Sequence, residues 1–169
     1  MKNIVFWGTA VLVIGAINFM IVKKERTIAS GRTMLLELAP ADPRSLMQGD
    51  YMVLEYKIAG DIPKLPLESS GRLVVSLDDN NVAKFVRFHK SETLSGGEHL
   101  LFYRNRRGLR LGAESFMFQE GRAELYSQAR YGELKVDESG QSVLVGLRDE
   151  EFRPLGEDRA ADSRRRERQ

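Results

Sequence analysis

Two carboxylates, Asp50 and Glu120, each stand beside a glycine, Gly49 and Gly121, that lets backbone come close. Acid–base chemistry asks of such a pair that their surroundings push the two pKa values apart. A structural use competes: an aspartate in a glycine turn accepts hydrogen bonds from its own turn, and a glutamate in a helix's first turn faces the positive end of the dipole. The structural use is the expectation for both, with Arg44 placed to pair with either or to hold an anion. Ser45 with Lys84 or Lys90 is the remaining nucleophile and base combination. His89 and His99 flank Gly96-Gly97 and would meet if neighbouring strands pair, yet a metal site needs a third ligand such as Glu92 or Glu98. Exposed strand-end histidines are expected, with no metal and no cofactor. Arg104, Arg106, Arg107 and Arg110 gather charge on one turn and its strand, suited to anionic headgroups, to an acidic partner or simply to solvent.

The element that must position Asp50 is the run Gly49 to Tyr56. Gly49 and Asp50 are turn formers, and the residues after them alternate with a period of two. Met52, Leu54, Tyr56 and Ile58 fall on one face, expected to enter the core; Tyr51, Val53, Glu55 and Lys57 fall on the other. Pro40 and Pro43 remove donors from the approach, and Asp42-Pro43 initiates its turn, so the link into the strand is an extended crossover.

Around that strand the chain of 169 residues reads as one domain with attachments, and its formal net charge of +2 implies no strong field for nucleic acid. Without cysteine there is no disulfide framework, thiol nucleophile or cysteine metal site. Ile4 to Val22 carries no charge and as a helix would span about 28 Å, one membrane crossing, with Lys2 before it and Lys23, Lys24 and Arg26 after. Charged residues occupy the place where a cleavable signal would have small ones, so residues 1–26 are expected to stay as an anchor. The cations after the span argue for a cytoplasmic domain, and the short basic head argues for a signal-anchor. The expectation adopted is that the domain lies on the outer face of the membrane.

Thr33 to Leu38 reads as a strand after Gly31 stops the helix. Ala59 to Ser70 reads as a loop. Arg72 to Leu77 and Val82 to Phe88 form a hairpin about Asp78 to Asn81; His99 to Tyr103 is a strand, and Leu109 to Gly112 follows the arginine turn. Gln119 to Ala129 is expected to be the one helix of the soluble domain, and Tyr131 to Asp137 with Ser142 to Leu147 a closing hairpin. The fold class expected is mainly β (α+β): a small antiparallel barrel or curled sheet of about eight strands with one packed helix, preceded by one transmembrane helix. The β-rich domain covers residues 33–152, and residues 153–169 are read as a disordered charged tail.

Gly49, Asp50, Tyr51, Leu54 and Tyr56, with Asp42-Pro43-Arg44 upstream, resemble the signature of the GDYXXLXY family of bacterial membrane-anchored proteins. Phe116 to Gly121 with Ala129 to Gly132 is similar to that family's second landmark. The resemblance implies a β-domain and an anchor, with no catalytic residue attached. Leu46 to Tyr51 also resembles the strand entry of membrane-anchored signal peptidases. Aligned on Gly49-Asp50, Ser45 falls on the motif's threonine and Ala41 on its nucleophilic serine, and alanine has no attacking oxygen.

The sequence therefore points to a non-enzymatic, membrane-anchored accessory or binding protein docking on a multi-spanning membrane protein, with no nucleic acid and no identifiable small-molecule substrate. Its candidate binding residues are Asp42, Arg44, Gly49, Asp50, Tyr51, Tyr56, Glu120, Arg104, Arg106 and Arg107. The rivals are a membrane-tethered hydrolase using Asp50 and Glu120, and a sensor of anionic envelope lipid using the arginine turn.

Overall fold

The computed structural model describes residues 2–39, 47–48, 51–62, 68–106, 108–112 and 114–156. Helix α1, Lys2–Ser30, is 29 residues long. Its stretch Val5–Ser30 has a mean hydropathy of 2.2, with none of its most apolar window buried, and is long and apolar enough to cross a membrane. Polar side chains within it bond their own helix: Thr9 Oγ1 donates to the Val5 carbonyl and Asn18 Nδ2 to that of Ile14, both over 2.9 Å. That answers the desolvation a lone amide donor would suffer in hydrocarbon.

The helix ends as glycine at that position suggested: Gly31 N–H donates to the Thr27 carbonyl over 2.9 Å, and β1 (Arg32–Glu37) begins at the next residue. Sheet order places β1 beside β9 (Tyr131–Val136), then β10 (Ser142–Arg148) and β11 (Pro154–Leu155). A second sheet runs β5 (Ala83–Phe88), β4 (Ser70–Leu77), β6 (Glu98–Asn105), β7 (Leu109–Arg110). A third pairs β2 (Met47–Gln48) and β3 (Tyr51–Val53) with β8 (Ser115–Met117). A parallel bridge from Leu35 to Val82 and an antiparallel one from Leu38 to Tyr56 stitch the sheets into a curled half-barrel. The expected β-rich fold class, with both hairpins, is what forms.

The inward set of the signature lies in the core: Met52 and Leu54 are 2 % exposed, Tyr56 4 % and Ile58 7 %. They join Leu73, Val75, Leu101, Leu134 and Leu147 from the two larger sheets. The strand itself is shorter than expected. It stops at Val53, and Ile58 belongs to a one-turn helix, α2 (Lys57–Asp61), where a strand and then a loop were expected. The period-two burial persists because residues 54–56 stay extended, with Tyr56 bridging Leu38.

The helix expected over Gln119 to Ala129 is only α3, Ala123–Tyr126. Gly121 takes φ +81°, a left-handed turn that a helix interior cannot include, so the chain turns at Glu120-Gly121 and starts its helix afterwards. Phe116 and Phe118 come instead from β8 and its exit and pack on the Tyr126 ring at 5.1 Å each.

Three hairpin turns share one construction. Asp78, Asp137 and Asp149 each accept, on Oδ1, the N–H two residues on and the N–H four residues on, over 2.9 to 3.1 Å. The residue three positions on carries positive φ: Asn81 at 62°, Gly140 at 87° and Phe152 at 61°. The third of these turns returns the chain into β11, where Leu155 is 5 % exposed, so the packed fold runs past 152 to Gly156. Residues 157–169 lie outside the described part.

Candidate functional site

Of the residues the sequence singled out, Asp42, Arg44, Gly49, Asp50 and Arg107, with Ala41 and Ser45, lie outside the described residues. Tyr51, Tyr56, Glu120, Arg104 and Arg106 do not. The alternating signature that buries Tyr56 leaves Tyr51 and Val53 outward, 36 % and 37 % exposed. Tyr51 stands directly across β3–β8 from Met117, which at 82 % is the most exposed large apolar side chain of the described domain. Met117 was missed in the sequence, although the alternation Phe116-Met117-Phe118 carries the same period-two signal.

Along the signature lies a cleft of about 760 Å³. Val53 to Lys57 and Ala59 to Asp61 form one side; Leu109, Arg110, Glu114 and Ser115 form the other. Backbone pairing fixes both walls: Leu54 N–H donates to the Glu114 carbonyl over 2.9 Å, and Ala39 N–H to that of Glu55 over 2.7 Å. Glu114 Oε1 is held by the Gly112 N–H at 2.8 Å. Lys57 Nζ bonds both Glu37 oxygens at 3.1 and 3.2 Å, and both side chains are exposed, so that pair contributes little stability. Burial, with the Glu114 charge adding, pushes the Tyr56 phenol well above its usual range, which keeps it a neutral hydroxyl. The Tyr56 ring lies against Gly132, where a β-carbon would come within 3.1 Å of it. The cleft thus offers an apolar floor with Glu55, Asp61 and Glu114 set against Lys57 and Arg110, an arrangement that can hold a polypeptide edge by polar contacts.

The second candidate is the β6–β7 hairpin. Arg104 and Arg110 are cross-strand partners, which sets two like charges side by side, and Arg104 also lies 5.9 Å over the Phe102 ring. With exposed Arg106 they make a cationic tip for which no ion pair forms among the described residues.

The two histidines do not meet. His89 N–H donates to the Arg72 carbonyl on one side of β4, and His99 pairs with Val75 on the other. With a strand between them and three residues of offset, they are roughly 14 Å apart. Glu98 is taken up by Arg87, whose guanidinium grips both its oxygens and holds its pKa down with help from the Ser95 amide. Among the described residues no three His, Asp or Glu side chains cluster to hold a metal. Burial, then the nearby Arg32 charge, lowers the His99 pKa. Glu120 is exposed in the turn before α3 and not in the helix's first turn, where Glu124 sits.

These elements define a class: a β-rich half-barrel borne on one apolar helix, with a polar-walled cleft along its signature strand. The GDYXXLXY protein family model matches residues 13–147, most of the chain, and the chain belongs to that family. No curated protein and no solved structure matches it.

Proposed function

We propose that this chain is a non-enzymatic, single-pass protein of the bacterial inner membrane that docks on a multi-spanning membrane protein through the signature cleft, with its domain on the periplasmic face. The observation that carries this reading is the joint between helix and domain. One residue, Gly31, separates α1 from β1, and Thr27, 4 % exposed, packs at the sheet. A domain so held cannot search space as a tethered ligand would; it presents one cleft at one height above the bilayer, so its target lies in the same membrane. The cleft's mixed charge and neutral buried Tyr56 suit recognition of a polypeptide edge.

The test is site-specific photocrosslinking in native membranes. A photoreactive residue replacing Glu55 should capture one multi-spanning protein, and the same probe replacing Lys84, on the exposed side of β5, should not. Equal capture from both positions, or adducts only with soluble proteins, would overturn the reading. A reporter fused after Gln169 that is active only in the cytoplasm should stay silent.

A further inference from the structure

The contacts between α1 and the domain provide a ruler along the helix. A β-carbon on Gly31 would touch the Val136 backbone at 3.1 and 3.2 Å, Thr27 Oγ1 lies 3.5 Å from Asp137 Oδ2, and Lys24 Nζ lies 3.5 Å from the Ser142 carbonyl. Descending the helix toward its apolar span, the ends of β9 and then β10 are met in turn. Seven residues of helix cover about 10.5 Å, close to the two strand spacings from β1, which starts beside Gly31, across β9 to β10, so the strands of the first sheet lie roughly across the helix axis.

The β6–β7 hairpin can be placed on the same ruler. His99, near the start of β6, lines a cavity with Ser30, Gly31 and Arg32 at the top of the helix. Phe102 N–H donates to the Gly140 carbonyl over 2.8 Å, and the Leu111 carbonyl, one residue past β7, accepts from Ser142 Oγ over 3.1 Å, beside Lys24. Strand β6 therefore runs down α1 toward the apolar span, and its tip with β7 lies below Lys24. The Arg104–Arg110 pair comes close to the height of Val22, the last residue of the apolar run, and Arg106 lies lower still. The headgroup layer is about 5 to 8 Å thick on each side of the hydrocarbon.

We infer that Arg104 and Arg110 on the β6–β7 hairpin bind the phosphates of anionic phospholipids in the membrane that α1 spans. The inference rests on α1 crossing that membrane; Arg110 also lines the signature cleft, so the test below is made in vesicles that hold no protein partner. Two arginines side by side, neither in an ion pair among the described residues, form a fork that phosphate oxygens fill bidentately. A phosphate between them converts the cross-strand repulsion into a shared contact. Each arginine at such a surface contributes about a fivefold preference for anionic lipid.

The experiment uses the full chain in vesicles of phosphatidylcholine with or without phosphatidylglycerol. The chain lacks cysteine, so Arg106→Cys and Asp79→Cys each give one labelling site, the second in the turn at the opposite end of β4. Native Trp7, the sole tryptophan, reports on the anchor. Acyl-brominated lipids should quench Trp7. Headgroup-attached quenchers should quench a label at position 106 and not one at position 79, and phosphatidylglycerol should increase that quenching. Arg104→Glu with Arg110→Glu should remove the increase, a loss of twentyfold or more in the docked-to-undocked ratio for two arginines. A quenched Trp7 with positions 106 and 79 alike overturns the proposal alone, as does quenching at 106 indifferent to phosphatidylglycerol and to the double substitution. An unquenched Trp7 overturns the anchor and the proposal with it.

Discussion

Replacing Gly31 with alanine tests the rigid joint at its narrowest point. The added carbon would collide with the Thr27 carbonyl oxygen and approach the Val136 N and O at 3.1 and 3.2 Å, all of them backbone atoms with no side-chain torsion to absorb the clash. Either the last turn of α1 opens, losing the bond from Gly31 N–H to Thr27, or the end of β9 retreats from it. Overpacking of this kind together with one lost hydrogen bond costs about 2 to 4 kcal/mol. For a β-domain of this size each kcal/mol lowers the melting temperature by about 3 to 6 °C, so a fall of about 6 to 24 °C is expected. Thermal unfolding followed by far-ultraviolet circular dichroism in lipid nanodiscs measures it. Gly60→Ala is the control: a β-carbon there meets nothing within 4 Å, and the change should be neutral or stabilise by up to about 1 kcal/mol. A Gly31→Ala protein within about 0.5 kcal/mol of the parent would refute the close joint and remove the ruler on which the height of the arginine hairpin depends.

Within the signature, Leu54→Ala should cost about 2 to 5 kcal/mol because its side chain is sealed in the core, whereas Tyr51→Ser should cost under about 1 kcal/mol; denaturant titration separates them, and equal costs would mean the strand's faces are reversed. The Asp149 carboxyl feels burial pushing its pKa up, but the Arg153 N–H, the Arg153 guanidinium and the Glu151 N–H outweigh it, so the folded value is depressed. A depressed carboxylate stabilises the fold above its unfolded pKa of about 3.9, and that contribution disappears as pH falls through the lower folded value. Asp149→Asn should therefore weaken the protein near neutral pH and much less in strong acid, as urea midpoints at the two conditions would report; an equal loss at both would count against the charge. The lowered His99 pKa has the same sign: protonation below the ordinary histidine range should destabilise the fold, and His99→Gln should flatten that part of the stability profile.

Much of the scaffold was legible because local chemistry and tertiary demand agree there. Asp78 and Asp137 open turns whose left-handed positions hold Asn81 and Gly140, residues that accept positive φ, and both hairpins form where the sequence placed them. The third turn has the same bonds but puts Phe152 at the left-handed position, where a bulky residue is not expected. Stacking on Tyr131 at 4.8 Å and a bond from Arg148 Nη1 to the Phe152 carbonyl over 2.7 Å hold it there. No local signal announces those contacts, which is why β11 fell in the stretch read as tail. Of the candidate site, Tyr56 was legible as an inward signature residue, but the cleft was not, because Arg110 and Glu114 join it from a stretch more than fifty residues further along the chain.

The sequence by itself determined the apolar helix, the two hairpins, the two faces of the signature and membership of the family, since each rests on residue type and spacing within a short window. Only the tertiary structure decided that the two histidines lie on opposite sides of β4, that Met117 stands beside Tyr51, and that Arg104 faces Arg110 across the β6–β7 hairpin. Those outcomes depend on which strand lies next to which and on a single glycine pressed against β9. Strand order and close backbone approach are set by the packing of the whole core and leave no periodic trace in any one segment.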